Sequence, residues 1–181
     1  TIIVPCDYYE TKKATLALAE MNGPAYLRIP REETSIITHK EDEFKIGKAN
    51  IVYKSKIKAD VIIIGAGPIL NEAILTAETL NKLHRVGCDV LNSHTIKPLD
   101  EAAVLEAVKD KKLVVVCEEH QKTGGLFGAV SELLAQKNPL KIIPIGVEDS
   151  FGESGTPEEL AIKYGLTKTQ IYKKILTNFK L

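Results

Sequence analysis

Arg28 and Arg31 bracket a proline at the end of a strand-like run, Ala25–Ile29. A guanidinium just past a strand end can hold a phosphate with a bidentate fork, because its planar donors match two phosphate oxygens. An exposed ion pair is the other use open to such a residue, and these residues alone do not choose. A second group, Glu118-Glu119-His120, could do acid/base or metal chemistry. Adjacent strand residues point to opposite sides, so the three do not converge without a bend. No second His or Cys stands at ligand spacing, so no metal is expected there. A carboxylate bonded to the amides of the following Gly124-Gly125 turn, or a subunit contact, suits the group better.

The other candidates are weaker. Gly65-Ala66-Gly67 has the first two glycines of a dinucleotide fingerprint, but the third position is Leu70, so a tight strand-to-helix turn explains it. His94, between Asn92 and Pro98, reads as a hydrogen-bonded turn residue. Cys117 ends a fully apolar run, where burial suppresses the thiolate.

The elements that position these residues follow a clear rhythm. Leu113–Cys117 is a short, mostly β-branched run, which reads as a buried parallel strand. Gly124-Gly125 then opens a helical pattern through Leu126, Val130 and Leu134. Val61–Ile64, Cys88–Leu91 and Lys141–Pro144 are further strands, alternating with helices to Leu83, after Asp100 and to about Ala135. The alternation predicts a three-layer, mostly parallel α/β sheet. Only Lys54–Ala59 separates the strand Ala49–Tyr53 from the next, too little for a parallel crossover. The spacing therefore predicts an antiparallel pair, with Ile51–Tyr53 on the edge. Upstream, Ile2–Val4, a helix capped by Asp7 and running to about Met21, and Ala25–Ile29 form a βαβ unit too small to be a domain. Polar Glu32–Lys48 reads as a linker. Thr156-Pro157-Glu158-Glu159 and Thr167 open two terminal helices.

Composition excludes some classes. The 181 residues are 44% hydrophobic, and 24 Lys+Arg balance 24 Asp+Glu, so neither nucleic acid nor a membrane surface is an expected partner. Three cysteines without CxxC spacing, and no signal peptide or spanning run, point to the cytoplasm. Met21 is the only methionine and the chain opens directly on a strand, so a piece of a longer polypeptide is expected.

Several motifs, in order, resemble one family. Val4-Pro5-Cys6-Asp7…Glu10 and Gly23–Arg31 resemble the end of the pyrimidine-binding domain of thiamine-diphosphate enzymes of the transketolase group. Asn92…Thr95–Asp100, Glu118-Glu119-His120…Gly124-Gly125 and Asp149–Gly155 resemble the transketolase C-terminal domain. The resemblance implies a boundary between residues 1–46, the remnant of a second α/β domain plus linker, and residues 47–181, the C-terminal domain. Ser154 within Phe-Gly-Glu-Ser-Gly looks like transketolase. Deoxyxylulose-phosphate synthases usually carry histidine there, and glycine where Glu32 stands.

The implied reaction transfers a two-carbon ketol unit between sugar phosphates, using thiamine diphosphate and Mg²⁺ in the complete enzyme. The family's activating glutamate would precede Thr1, and its Gly-Asp-Gly…Asn signature is absent. No catalytic, cofactor-binding or metal residue is therefore carried onto this chain, which alone is expected to be silent. Arg31 does match the position that grips the sugar phosphate. The implied partner is the N-terminal part of transketolase, in a homodimer or heterotetramer. The alternatives are part of a 1-deoxyxylulose-5-phosphate synthase, or a non-catalytic dimerisation or docking module. The strand, polar turn, glycines and helix of Leu113–Phe127 have the layout of a ligand crevice in an open α/β sheet, but the resemblance implies a domain standing away from the cofactor, which makes the segment architectural.

Overall fold

The structure, a computed structural model, describes residues 1–179. The last two residues of the expected second domain lie outside them. The chain begins with β1 (Ile2–Ile3), α1 (Tyr8–Ala19) and β2 (Tyr26–Leu27), and β1 and β2 pair in parallel. Asp7 caps α1, its carboxylate accepting from Glu10 N at 2.9 Å. Residues 28–49 hold no regular element.

Beyond them come β3 (Asn50–Tyr53), β4 (Ala59–Ala66), α2 (Leu70–His84), β5 (Gly87–Asn92), β6 (Thr95–Lys97) and α3 (Glu101–Ala107). They are followed by β7 (Leu113–Gln121), α4 (Leu126–Lys137), β8 (Ile142–Val147), α5 (Pro157–Lys163) and α6 (Lys168–Asn178). The main sheet has the order β3-β5-β4-β7-β8, parallel except for β3 at its edge. Strand periodicity splits its side chains between two cores. Val61, Ile63, Cys88 and Val115 face α2 and α6, whose Ala73, Ala77, Leu80, Ile171 and Ile175 are buried against them. Ile62, Ile64, Val114 and Val116 face α3 and α4, with Val104, Leu126, Val130 and Leu134. The expected three-layer α/β architecture with one antiparallel edge is present. Each fully buried aliphatic side chain contributes about 1.5–3 kcal/mol, which explains why the strands carry apolar residues on both faces.

Three expectations need correction. The edge strand β3 pairs with β5 rather than with its sequence neighbour β4. Strand β4 is already flanked by β5 and β7, so the connection passes across the end of β5. Asp89 of β5 holds that connection: it accepts from Ser55 N at 2.9 Å and from Lys54 Nζ at 2.9 Å. Second, β7 does not stop at Cys117. It continues to Gln121, which pairs with Val147 past a register irregularity, so Glu118–His120 lie within the strand. Third, β6 falls outside the sequence pattern. It pairs antiparallel with β1, giving a second sheet of order β2-β1-β6.

A buried polar seam accompanies that small sheet. Val4 N donates to His94 O at 2.8 Å. Glu10, only 3% exposed, accepts from Cys6 N at 2.7 Å and from Asn92 Nδ2 at 2.6 Å. Burial pushes the Glu10 carboxyl above its ordinary range. Bonds from Cys6 and Asn92 oppose that, and the nearby Asp7 adds to it. A raised pKa means that the folded state holds this proton more tightly than the unfolded chain. The contribution of Glu10 to stability therefore falls as pH rises from the ordinary carboxyl range through its raised value. Glu10→Gln keeps an acceptor for Cys6 N and removes the buried charge. Its Tm should match the parent near about pH 4 and exceed it by a growing margin toward about pH 8. A gap independent of pH in parallel thermal melts would contradict this reading.

Candidate functional site

Arg31 lies on the loop that follows β2. Arg28 fixes the start of the loop: its backbone N donates to Ile3 O at 2.9 Å, and its Nη1 donates to Glu119 O at 3.0 Å. Arg28 is therefore used as a structural tie across the two sheets. Arg31 is not. Its side chain is 94% exposed and its ion-pair partner is the adjacent Glu32, with Nε 3.6 Å from the carboxylate. Such an exposed pair contributes about 0–1 kcal/mol, so an arriving anion displaces it easily. A cleft of about 380 Å³ opens beside the loop, lined by Tyr8, Thr11, Ile29, Pro30, Glu32 and Ile36 among others.

The Glu118–His120 group separates as strand alternation requires. Glu118 turns inward and is 2% exposed; its two oxygens accept from Leu126 N at 2.8 Å and Phe127 N at 2.9 Å. It thereby satisfies the first amides of α4, which the glycine N-cap leaves without a side-chain partner. Gly125 is required by this arrangement: a Cβ there would stand 2.0 Å from Glu118 Oε2. Its neighbour Gly124 has φ 80° and turns the chain into the helix. The helix terminus that an external anion could use is thus taken by the protein's own carboxylate. His120 Nδ1 lies 2.9 Å from Gln121 O and 4.0 Å from Glu118 Oε2. Among the described residues, no group of three or more His, Cys, Asp and Glu side chains could hold a metal ion.

The remaining candidates are structural. At the end of β4, a Cβ on Gly65 would come 2.9 Å from Leu70 Cδ2, so Leu70 packs into the space that a dinucleotide phosphate would need. His94 is buried, stacks on Phe44 at 4.4 Å and lies 3.0 Å from Thr95 Oγ1. Burial pushes its pKa down to about 4, leaving a neutral ring at neutral pH. The Cys117 thiol is fully buried and pushed up in pKa by that burial, as are those of Cys88 and Cys6. None of the three is set up as a nucleophile.

Sequence reading missed two carboxylates. Asp89 is 1% exposed and gathers Lys54, Lys111 and the Ser55 amide. An acid inside the apolar run Cys88–Leu91 was the available signal, since a buried charge needs partners. Asp7 caps α1 as its spacing to Glu10 predicts, and it also binds the linker: its carboxylate accepts from Ile37 N at 2.8 Å and Thr38 Oγ1 at 2.8 Å. Nothing in the linker's polar composition singles out Thr38 for burial.

Comparison with known proteins places this geometry. Residues 47–171 match the family "Transketolase, C-terminal domain". A transketolase C-terminal section of Methanocaldococcus jannaschii is 39% identical over 99% of this chain and 55% of its own length. The 6-deoxy-6-sulfo-D-fructose transketolase subunit of a Clostridium species is 36% identical over 96% of this chain and 52% of its length. Among solved structures, a split-gene transketolase in an inactive β4 tetramer superposes with a TM-score of 0.90. It is 31% identical, and the match covers 97% of this chain and 56% of that one. The chain spans about half the length of the curated relatives it matches. It belongs to the transketolase family through that family's C-terminal domain.

The Glu118–Gly125 contact yields a double-mutant test. Gly125→Ala should destabilise by about 2–5 kcal/mol, because the methyl expels a carboxylate that makes two charged hydrogen bonds. In a Glu118→Ala background the same change should cost less than about 1 kcal/mol. Urea unfolding of the four proteins measures both values, and equal costs in the two backgrounds would refute the coupling.

Proposed function

We propose that this chain is the C-terminal part of a thiamine-diphosphate- and Mg²⁺-dependent transketolase that moves a two-carbon ketol unit between sugar phosphates. The observation that carries this reading is the superposition of 97% of the chain on a split-gene transketolase with a TM-score of 0.90. On this reading residues 1–46 close the pyrimidine-binding domain and residues 47–181 form the C-terminal domain. The residues present do not fit a Mg²⁺–diphosphate site, since no acidic or histidine cluster of metal-binding size occurs among the described residues. On this reading the N-terminal part of the enzyme holds the cofactor.

Substrate contact is the role left for this chain. Arg31 grips the sugar phosphate: its side chain is 94% exposed and carries an exposed pairing with Glu32, and its chain neighbours Pro30 and Glu32 line an open cleft. A guanidinium and a doubly charged phosphate form bidentate bonds that a hydroxyl group cannot match. The structural neighbour is an inactive β4 tetramer. By likeness to it, this chain would fold and self-associate without turnover until joined by its N-terminal counterpart. No helix among the described residues is long and apolar enough to cross a membrane.

Arg31→Ala in the complete enzyme should raise KM for phosphorylated sugars about tenfold to a hundredfold, corresponding to loss of a charged contact of roughly 1.5–3 kcal/mol. KM for unphosphorylated sugars should hardly move. Steady-state kinetics with both substrate types decide the matter, and an equal loss for both would remove Arg31 from the phosphate site.

A further inference from the structure

Arg31 rides on a loop held at both ends. Upstream, Arg28 ties the loop to Ile3 and Glu119. Downstream, the chain returns to the N-terminus of α1 and meets Asp7, which is 1% exposed. Asp7 Oδ2 accepts from Ile37 N at 2.8 Å and from Thr38 N; Oδ1 accepts from Thr38 Oγ1 at 2.8 Å and Glu10 N at 2.9 Å. A helix cap needs only the last of these four bonds. The other three bind the strap, and capping does not account for them. Farther along α1, Lys13 Nζ donates to His39 O at 2.6 Å and Asp42 O at 2.7 Å, extending the same clamp. Between the two anchors, the recorded tie of the Arg31 side chain is the exposed pair with Glu32.

We propose that Asp7 is a positioning residue for phosphate recognition: by tying Ile37 and Thr38 to the start of α1, it fixes the loop that presents Arg31. This rests on the assignment of Arg31 to the substrate phosphate. A loop pinned at both ends has few conformations to lose when the phosphate arrives. Releasing the downstream end lengthens the free segment, and the ordering must then be supplied by substrate binding. The loss falls on the affinity for phosphorylated substrates and not on the chemical step.

Three variants of the complete enzyme separate positioning from simple support. Asp7→Ser keeps one oxygen for the Glu10 amide, so α1 stays capped, but serine is too short to reach the strap. Asp7→Asn retains an oxygen for Ile37 N and Thr38 N while giving up the cap bond. Thr38→Val removes one strap bond and leaves the cap intact. KM is measured for a phosphorylated and an unphosphorylated sugar, with Tm recorded for each protein. Asp7→Ser should raise the ratio of the two KM values about tenfold, the effect of roughly one hydrogen bond to a charged group, with kcat little changed. Asp7→Asn should keep the ratio within about threefold of the parent, and Thr38→Val should fall between them. In an Arg31→Ala background, Asp7→Ser should add nothing to the ratio. An Asp7→Ser enzyme with an unchanged ratio, beside an Arg31→Ala enzyme with a raised one, overturns the role of Asp7 and leaves that of Arg31 standing. An unchanged ratio in Arg31→Ala overturns both. If Asp7→Ser does not fold, Thr38→Val carries the test, and an unchanged ratio there is equally decisive.

Discussion

A carboxylate removed from water must be met by donors, and four among the described residues are removed almost completely. Asp7, Glu10, Asp89 and Glu118 are each 3% exposed or less. Asp7, Glu10 and Asp89 sit where segments distant in sequence meet, Glu118 sits where a strand turns into the following helix, and each takes donors from the incoming segment. Asp7 receives the linker, Glu10 the end of β5 through Asn92, Asp89 the connection from β3 to β4, and Glu118 the first amides of α4. Burial alone would push the Asp89 carboxyl up, but the Ser55 amide with Lys54 and Lys111 outweighs it and holds it below the ordinary range. Loss of any one would leave buried amides or cations unpaired, which costs more than the bond itself contributes. The apolar sheet supplies most of the driving force, while these four groups fix which loop goes where.

That division explains what could be read from the residues. Strand and helix signals were legible because they are local: the β-branched runs Val61–Ile64 and Leu113–Cys117, the Thr156 capping box and the edge position of β3 all appear where their patterns place them. Pairing was less legible. The partner of β3 depends on Asp89, thirty-odd residues away, and β6 depends on β1 at the other end of the chain. Neither dependence leaves a mark in local periodicity. The extension of β7 through Glu118–His120 was hidden for a related reason, because Glu118 is met by a helix terminus while Glu119 and His120 stay exposed.

At the candidate site, residue type marked Arg28 and Arg31 as possible anion contacts without separating them, and the proposed phosphate role of Arg31 came from the resemblance. Arg28 and Arg31 look alike in sequence and differ in use. Arg28 donates to a backbone carbonyl of β7, while Arg31 is 94% exposed and paired with the adjacent Glu32. The segment Leu113–Phe127, whose strand-turn-glycine layout suggests a ligand crevice, instead closes on itself through Glu118. Under the proposed function, this chain would contribute an arginine on a loop tied at both ends, and the sheet to which Arg28 ties it.

The most direct measurement is ketol transfer between sugar phosphates by the isolated chain with thiamine diphosphate and Mg²⁺, repeated after adding the N-terminal part of the enzyme. Silence alone and turnover on combination is the expected result. Substantial turnover by the chain alone, or none from the reconstituted pair, would contradict the assignment.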